Sequence, residues 1–434
     1  MSSPKPLELT SPPAQMPRLR SRRLVKVERQ PRVLQVGKYY PPHQGGMETH
    51  LESLCAELNQ SVDLEVVVAA SNGFETNEEL RDGIKLTRAG TLFNLRSAPF
   101  CPRMFTKIRE STADLVHIHL PNPGAILAYL ASGHRGRLVL TYHSDIIRQK
   151  VLSRFFDPVL GHALKQADAI IVSSSNYIDS SYILPLYRNK CHVIPFGIPL
   201  EPFQHPDMRE VARLRGLYGP RIVLGVGRLV YYKGFEHLID AMRFVDGHLL
   251  IVGRGPLHNA LRQKAERSGV NNRVTFLTDV QDVIPFYHAA DVFVLSSVAR
   301  SEAFGIVQLE AMACGKPVVN TNLDSGVTSV SPDGVSGVTV PPKDAQALGD
   351  AIASLLDNPL RRGAYGRAGQ LRVNQHFSLQ SMARQTLALY DEVLNAPRRS
   401  RYPAARIPSL VRTDNVAKAP IAARAMTFVA SKPI

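Results

Sequence analysis

The chain of 434 residues has few cysteines and no long apolar run. Because the cysteines are scattered and form no Cys-x-x-Cys pair, the sequence argues against a zinc site and a disulfide scaffold, and we expect a reducing, cytoplasmic location. No apolar stretch approaches the roughly 18 residues that a membrane-spanning helix needs. No apolar h-region lies near the N-terminus, so we expect no secretory signal. The four cysteines are Cys55, Cys101, Cys191 and Cys314.

Acidic residues are scarce at both ends of the chain, and this scarcity explains most of the positive net charge. Residues 1–30 carry +5 and residues 396–434 carry +7, which leaves only +3 of the formal +15 for residues 31–395. Both ends mix Pro, Ser and Arg without periodicity, so we expect disordered basic tails. The charge of the folded part therefore gives no reason to expect a specific nucleic-acid partner, and no nucleic-acid-binding motif is present.

Between the tails, short apolar strands alternate with helical periodicity in two successive series. The first series begins at residues 32–36 and the second at residues 221–225. Strands flanked by helices imply parallel sheets that are covered on both faces. The sequence therefore predicts an α/β fold with two Rossmann-like domains whose parallel sheets face each other across a cleft. The predicted divisions are 1–30 (tail), 31–200 (N-terminal domain), 201–219 (linker), 220–377 (C-terminal domain), 378–395 (a helix packing back on the N-terminal domain) and 396–434 (tail).

Two glycine-containing loops follow predicted strands at the carboxyl ends where ligands bind in such sheets. Gly45 and Gly46 precede a helix and would let a phosphate or sugar approach backbone amides, although a plain turn has the same composition. In the second series, Gly227 and Arg228 are followed by Lys233. The planar fork of an arginine and the point charge of a lysine both suit a diphosphate, and an exposed basic loop is the alternative.

The most informative segment has two glutamates on either side of a predicted helix start. Glu302 precedes the helix among small and apolar residues, and Glu310 lies within it. Gly305 would free the backbone N–H groups around Ile306 and Val307 to face an anionic ligand, and the helix dipole would add to the attraction. The two carboxylates could accept hydrogen bonds from sugar hydroxyls. For an unremarkable pair of glutamates, a solvated helix face would be the better interpretation.

Histidines end two strands of the first series. His143 follows the strand at residues 138–141, which is a favourable position for an active-site group, although a single histidine is more often structural. His117 and His119 alternate and therefore share one face of a strand. They could chelate a metal, but no third ligand is indicated, so we expect no metal and assign His119 to the lining of an acceptor cleft.

Taken together, these segments resemble glycosyltransferase family 4, the retaining GT-B enzymes, over residues 32–395. The resemblance is carried in order by Gly45-Gly46-Met-Glu48, the His143 segment, Gly227-Arg228 with Lys233-Gly234, Gly253-Arg-Gly255-Pro256, and Glu302 spaced eight residues before Glu310. It implies a GT-B fold in which the N-terminal domain binds the acceptor and the C-terminal domain binds a nucleotide diphosphate sugar. It also implies hexosyl transfer with retained anomeric configuration, without a metal or a cofactor.

The family pattern implies a role for each matching residue. Arg228 and Lys233 would neutralise the departing diphosphate, Glu302 would hold the hydroxyls of the donor sugar, and Glu310 would hold the ribose. His143 would approach the donor sugar and act with Arg228, Lys233 and Glu302 in catalysis. The remaining donor-binding positions implied by the resemblance are Gly45, Gly46, Gly227, Gly253, Gly305, Ile306 and Val307.

The residues 141–150 and 196–198 are similar to those of bacterial mannosyltransferases that extend polyprenyl-diphosphate-linked oligosaccharides. The resemblance thus implies a GDP- or UDP-linked donor and a glycan or lipid-linked acceptor in polysaccharide or exopolysaccharide biosynthesis. The family's usual Pro-Asn-Gly is replaced by Pro195-Phe196-Gly197. The alternatives are another GT-B enzyme, such as a sugar-nucleotide epimerase, and a non-catalytic sugar-nucleotide-binding protein.

Two segments interleave aromatic or aliphatic residues with basic ones, at residues 93–108 and 146–156. Segments of this kind can lie on an anionic lipid surface, which would make the enzyme peripheral on the inner face of the plasma membrane. The alternative is that they are core helices with solvated basic faces. The spacing alone does not separate these two interpretations.

Overall fold

The computed structural model describes residues 29–43, 45–71, 73–95, 98–145 and 150–397. Nearly all of the two predicted tails, 1–30 and 396–434, therefore lies outside the described residues. The described part contains two α/β domains, each built on a largely parallel sheet with helices packed against it. The predicted fold class is confirmed.

The N-terminal domain is built around a sheet whose inner strands are mostly buried. Its strands are β1 (Arg32–Val36), β2 (Asp63–Ala69), β3 (Asn77–Arg81), β4 (Ile84–Ala89), β5 (Phe93–Leu95), β6 (Ala98–Phe100), β7 (Leu115–Leu120), β8 (Arg137–Tyr142), β9 (Ala169–Val172) and β10 (Cys191–Val193). Eight of them form one sheet in the order β10-β9-β8-β7-β1-β2-β4-β3, and β5 pairs with β6 in a separate hairpin. Every residue of β7 and β9 is buried, as expected for parallel strands covered on both faces.

Helices connect these strands, and local sequence signals set their ends. They are α1 (Gly46–Leu58), α2 (Pro102–Glu110), α3 (Pro123–Ser132), α4 (Lys150–Gln166) and α5 (Ser175–Ser180). In α3, the side chain of Asn122 accepts a hydrogen bond from the backbone N–H of Ala125, and Pro123 occupies the first turn. The helix ends at Gly133, whose φ of +67° suits glycine.

The edge of this sheet was not predicted from the sequence. β3 pairs antiparallel with β4, and its first four residues are exposed and mostly polar. A strand with no buried face lacks the apolar alternation on which strand prediction depends. Charged side chains on such an edge also prevent pairing with another chain.

The C-terminal domain has six strands, all paired in parallel. They are β11 (Ile222–Val226), β12 (His248–Val252), β13 (Val274–Leu277), β14 (Val292–Leu295), β15 (Val318–Thr321) and β16 (Gly337–Val340), in the order β13-β12-β11-β14-β15-β16. Its helices are α6 (Met208–Tyr218), α7 (Phe235–Ala241), α8 (His258–Arg267), α9 (Ile284–Ala289), α10 (Ile306–Ala313), α11 (Val327–Val330), α12 (Ala345–Leu356) and α13 (Pro359–His376).

The segment predicted to be a linker, 201–219, contains helix α6. The Asp207 carboxylate caps the helix by accepting from the backbone N–H of Arg209 at 2.9 Å. Val211 and Leu214 are buried, and Arg215 donates to the carbonyl of Ala289 at 2.7 Å. This short amphipathic helix packs against α9 of the C-terminal domain. It was not predicted from the sequence because its high charge content obscures the apolar periodicity.

The last described helix, α14 (Leu379–Asn395), returns to the N-terminal domain. Backbone hydrogen bonds in both directions join Ile198 to residues 377 and 379, where the chain crosses between the domains. Farther along α14, the buried hydroxyl of Tyr390 accepts from Nε2 of Gln35 in β1 at 2.8 Å. The predicted crossing helix is therefore confirmed. Among the described helices, none is long and apolar enough to cross a membrane.

Candidate active site

The C-terminal domain places a buried lysine–glutamate pair where two neighbouring parallel strands end. β11 leads into the loop that carries Lys233, and β14 leads into the loop that carries Glu302. Nζ of Lys233 lies 2.6 Å from Oε2 of Glu302, and each side chain is 10% exposed. Ser297 Oγ donates to the same carboxylate oxygen at 3.0 Å. The structure thus joins two of the predicted catalytic residues at the sheet edge where ligands bind in α/β folds.

Two of the predicted donor-site glycines pack around this lysine. Gly227 has a φ of +147°, and a Cβ there would lie 3.1 Å from Cε of Lys233. Gly253 has the same φ, and its Cβ would lie 2.1 Å from the carbonyl oxygen of Gly227. A side chain at either position would therefore displace backbone or the lysine. This close packing is a structural reason for both glycines, independent of any ligand.

Arg228 differs from Lys233 in its exposure. Its side chain lies at the surface and makes no hydrogen bond or ion pair with another described residue. Burial raises the pKa of Tyr232, and the positive charges of Lys233 and Arg228 both oppose that rise. The two cations therefore act on the same phenol, and the guanidinium remains available to an anion.

The start of α10 lies beside this pair. Gly305 precedes the helix with a φ of +76°, and a Cβ there would lie 2.7 Å from Cδ2 of Leu295. Ile306 and Val307 form the first turn and are half-buried, so backbone N–H groups stand at the helix N-terminus without intrahelical partners. This arrangement attracts negative charge.

Glu310 lies one turn farther along α10 and is held by a tyrosine. Tyr287 Oη donates to Oε2 of Glu310 at 2.5 Å. Burial raises the pKa of Glu310, while the hydrogen bond from Tyr287 and the charge of Lys233 act in the opposite direction. Glu310 thus lies within the electrostatic reach of Lys233.

The predicted histidines of the N-terminal domain belong to one chain of hydrogen bonds. The Gln35 amide donates to Tyr390 Oη and accepts from His119 Nε2 at 3.0 Å. His119 Nδ1 is then the acceptor for Nε2 of His143, 3.1 Å away. Tyr390 in turn lies 2.6 Å from Nδ1 of His117. The network assigns the proton of neutral His143 to Nε2 and leaves its Nδ1 as an acceptor.

A fourth histidine, His50 of α1, completes this cluster. Its ring lies 4.9 Å from that of His143, and its Nδ1 is buried without a hydrogen-bond partner. Burial lowers the pKa of His50 to about 4 and that of His117 to about 3, and it holds those of His119 and His143 well below the usual range. The cluster is therefore neutral at pH 7.

Nitrogen atoms of His50, His119 and His143 lie within 4.8 Å of one another, close enough to suit a metal ion. Both ring nitrogens of His119 are, however, already engaged by Gln35 and His143. Hydrogen bonding accounts for the position of these two rings without an ion. The expected absence of a metal stays a prediction.

Aromatic packing connects the histidine cluster to the C-terminal domain. Phe196, which stands where the family pattern has asparagine, lies 5.0 Å from the ring of His143 and 4.5 Å from that of His50. Its opposite side meets Phe304 at 5.1 Å. Because Phe304 follows Glu302 by two residues, Phe196 connects the ring of His143 to the loop that carries Glu302.

Gly45 and Gly46 lie at the start of α1, after the central strand of the N-terminal sheet. A Cβ at Gly45 would lie 2.2 Å from Oε2 of Glu48, whereas one at Gly46 would meet nothing within 4 Å. Within the described residues, no hydrogen bond links either glycine to Lys233 or Glu302. Their predicted contact with a ligand therefore stays a prediction.

Several residues of this region were missed by sequence reasoning. Gln35 could have been identified from the sequence, because a polar residue within an otherwise apolar strand needs a buried hydrogen-bond partner. Tyr287 and Tyr390 could not have been identified in this way, since the tertiary fold brings each of them to its partner. Ser297 follows an apolar strand and could have been identified by its position alone.

Comparison with known proteins supports the resemblance to glycosyltransferase family 4. Residues 44–202 match the model of Glycosyltransferase Family 4, and residues 213–372 match that of Glycosyl transferases group 1. The chain is 33% identical over 372 residues to the O-antigen chain mannosyltransferase C of Escherichia coli, covering 84% of this chain and 99% of that protein. It is 31% identical over 393 residues to the GDP-mannose-dependent alpha-(1-6)-phosphatidylinositol monomannoside mannosyltransferase of Mycolicibacterium smegmatis, covering 85% and 100%.

Solved structures show the same fold. Sucrose-phosphate synthase from Thermosynechococcus elongatus superposes with a TM-score of 0.71 at 24% identity, covering 84% of this chain and 99% of that one. Anabaena HepE in complex with UDP-glucose superposes with a TM-score of 0.70 at 21% identity, covering 83% and 99%. The chain belongs to glycosyltransferase family 4, among the group 1 glycosyl transferases. It is a glycosyltransferase of GT-B fold, and its relatives do not favour the epimerase or non-catalytic alternatives.

Proposed function

We propose that the protein transfers a mannosyl group from GDP-mannose, with retention of anomeric configuration, to a glycan or a polyprenyl-diphosphate-linked acceptor. The single observation that best supports the location of the donor site is the buried Lys233–Glu302 pair at the carboxyl ends of β11 and β14. The choice of sugar follows two relatives at 31–33% identity, both named mannosyltransferases, of which one is named as GDP-mannose dependent.

The charge arrangement suits the departure of a diphosphate. Breaking the anomeric C–O bond leaves negative charge on the diphosphate and an oxocarbenium-like sugar. Lys233 is held in place before the reaction, the exposed Arg228 is available to close on the same anion, and the N–H groups at the start of α10 add a fixed dipole. Because these groups supply the positive charge, we propose that the reaction needs no divalent cation and no cofactor.

The carboxylates would bind the rest of the donor. Oε2 of Glu302 is occupied by Lys233 and Ser297 in this structure, so Oε1 is the oxygen that would accept from hydroxyls of the donor sugar. Glu310, fixed by Tyr287, would accept from the ribose. Gly45, Gly46, Gly227, Gly253 and Gly305 would provide the close approach of backbone that the resemblance implies.

The N-terminal domain would receive the acceptor. His143 presents a buried, neutral imidazole whose Nδ1 is an acceptor, which suits contact with a hydroxyl of the donor sugar rather than with phosphate. His119, which orients it, would stand behind the acceptor cleft and is shielded by Gln35 and His143 from direct contact through its nitrogens.

A nucleotide-sugar screen tests this function. The purified protein is mixed with GDP-mannose, UDP-glucose, ADP-glucose or dTDP-glucose, and the shift in melting temperature is measured. A ligand at a hundred times its dissociation constant should stabilise the protein by about 2.7 kcal/mol. GDP-mannose should give the largest shift, and a larger shift with a uridine or adenosine donor would contradict the choice of donor.

Transfer itself is then measured with radiolabelled GDP-mannose and a polyprenyl-diphosphate-linked oligosaccharide, and the anomeric coupling of the product reports retention. Lys233→Ala should abolish transfer. Lys264→Ala is the matched control, because Lys264 is also paired in the C-terminal domain, 2.6 Å from Asp240, but lies on α8 outside the proposed site. Loss of transfer in both variants would remove the argument for Lys233.

For a lipid-linked acceptor, we propose that the enzyme is cytoplasmic and meets the inner face of the plasma membrane through the β5–β6 hairpin. Phe93 and Phe100 stack at 5.0 Å and are 54% and 46% exposed, next to basic residues of α2. Met104 and Ile108 of the same predicted segment are buried in the core instead. Of the other segment, 146–156, residues 146–149 lie outside the described residues, and residues 150–156 belong to α4.

Flotation with anionic vesicles tests this contact. Wild-type protein should bind at low salt and be released at 0.5 M salt, about the range in which charge attraction is screened. A Phe93→Ser, Phe100→Ser variant should bind less without losing transfer to a soluble acceptor. Equal binding of the variant and the wild type would contradict a role for the hairpin.

A further inference from the structure

One ion pair between the two domains lies directly between the loops assigned to catalysis. Arg300 precedes Glu302 by two residues in the C-terminal domain, and Asp145 follows His143 by two residues in the N-terminal domain. Nη2 of Arg300 lies 3.0 Å from Oδ2 of Asp145, whose side chain is only 2% exposed. The pair therefore joins the His143 loop to the Glu302 loop.

The N-terminal domain holds the carboxylate of Asp145 in one orientation. Its Oδ1 accepts hydrogen bonds from Tyr142 Oη and Ser181 Oγ, each at 2.8 Å. Its backbone N–H donates to Tyr177 Oη at 2.7 Å. With Oδ1 occupied from within its own domain, Oδ2 is the oxygen that faces Arg300.

Arg300 is held from both domains as well. Its Nε donates to the carbonyl of Asp324 in the C-terminal domain at 3.2 Å, and its Nη2 also donates to Ser180 Oγ in the N-terminal domain at 3.3 Å. A nearly buried carboxylate is costly unless a cation and hydrogen bonds satisfy it. The guanidinium that satisfies Asp145 is supplied by the opposite domain, so the pair is complete only when the two loops are together.

We propose that Arg300 and Asp145 are positioning residues that align the His143 loop with the Glu302 loop for sugar transfer. The proposal rests on the proposed function, because it assigns the pair a role in that reaction. Neither residue touches the donor in this argument. Their contribution is to the alignment of the domains, so their loss should lower kcat and leave the affinity for the nucleotide almost unchanged.

The test is a double-mutant cycle with Arg300→Gln, Asp145→Asn and the double variant, measured as kcat, KM for GDP-mannose and Kd for GDP. Asparagine keeps an oxygen for Tyr142 and Ser181 while removing the charge. Each single variant should lower kcat by about tenfold to a hundredfold, as misalignment of reacting groups does, while Kd for GDP changes less than about twofold. The double variant should be no slower than the slower single variant, and Arg300→Lys should restore part of kcat.

Arg188→Gln is the matched control, because Arg188 pairs with Asp179 at the surface beside Ser180 and should leave kcat unchanged. Hydrogen exchange of the segment around Asp145 gives a readout independent of transfer: the amide should exchange faster in Arg300→Gln than in wild type. Unchanged exchange together with unchanged kcat, or single effects that multiply in the double variant, would overturn the proposal. If wild-type protein shows no transfer at all, the proposed function fails while the exchange result still decides whether the pair couples the loops.

Discussion

Replacing Lys233 by methionine separates what the lysine does for the fold from what it does for the reaction. Methionine keeps most of the stem that packs over Gly227 and removes the ammonium group 2.6 Å from Glu302. Ser297 still donates to Glu302, but the carboxylate loses its cation in a site where the side chain is only 10% exposed. The variant therefore contains a nearly buried, unpaired charge.

The structure sets the size of the expected loss in stability. Breaking a buried ion pair by removing one partner costs about 3–5 kcal/mol. Because Ser297 still donates to Glu302 and the carboxylate keeps some exposure to solvent, we expect a loss near the lower value, about 3 kcal/mol in the free energy of unfolding. For a domain of this size, that lowers the melting temperature by roughly 6–12 °C.

A second substitution should repair the fold but not the reaction. In the Lys233→Met, Glu302→Gln variant, the amide can still accept from Ser297 and no longer needs a cation, so most of the stability should return. Transfer should stay lost, because a fixed positive charge beside the diphosphate contributes a factor of about 10²–10³ in kcat. Recovery of stability without recovery of activity is the distinguishing result.

Thermal unfolding and radiolabelled transfer are measured on the same preparations of wild type, both variants and Lys264→Ala. Melting of Lys233→Met at the wild-type temperature would contradict the burial of this ion pair. Recovery of transfer along with stability in the double variant would contradict the catalytic role of the lysine charge, because a neutral pair would then suffice for the reaction.

Three further outcomes are expected. Burial lowers the pKa of His50 from 6.5 to about 4, so the unfolded chain takes up this proton at a higher pH than the folded protein does. The free energy of unfolding should therefore fall as the pH is lowered from about 6.5 to 4, by up to about 1.4 kcal/mol per pH unit for each such histidine. The urea midpoint of His50→Gln should depend less on pH than that of the wild type. Gly253→Ala should fold poorly because its Cβ would lie 2.1 Å from a backbone oxygen, whereas Gly216→Ala, with no atom within 4 Å, should raise the melting temperature; equal melting temperatures would contradict this. Transfer should continue at the same rate in excess EDTA, and loss of activity that added Mn²⁺ or Mg²⁺ restores would disprove the expected metal independence.

The sequence predicted the inner strands and the main loops because burial on both faces leaves a strong signal. β9, β12 and β14 are continuous or nearly continuous apolar runs, and Lys233, Glu302 and His143 each follow a predominantly apolar strand. The order of the strands then places Lys233 and Glu302 at the same edge of the C-terminal sheet. The exposed strand β3 and the charged helix α6 were missed, because each has too little apolar surface to show its period.

The partners of the site residues were much harder to predict than the residues. The link from Gln35 to Tyr390 spans 355 positions, and no local pattern indicates which hydroxyl a buried amide will meet. Likewise, the sequence predicted cations for a diphosphate at Arg228 and Lys233 but did not predict the ion pair of Lys233 with Glu302, because the two loops converge only when β11 and β14 lie side by side. Local periodicity contains no information about such long-range convergence.

The hydrogen bond from Gln35 to Tyr390 also has a consequence for synthesis on the ribosome. The side-chain nitrogen of Gln35 in β1 obtains its partner only after residue 390 has emerged, although the N-terminal sheet is fully translated by residue 193. At about 5–20 residues per second, the nascent first domain waits roughly 10–40 seconds before Tyr390 can meet the amide nitrogen of Gln35 and Nδ1 of His117. During that interval, these two polar atoms of the first domain lack the hydroxyl that α14 later supplies.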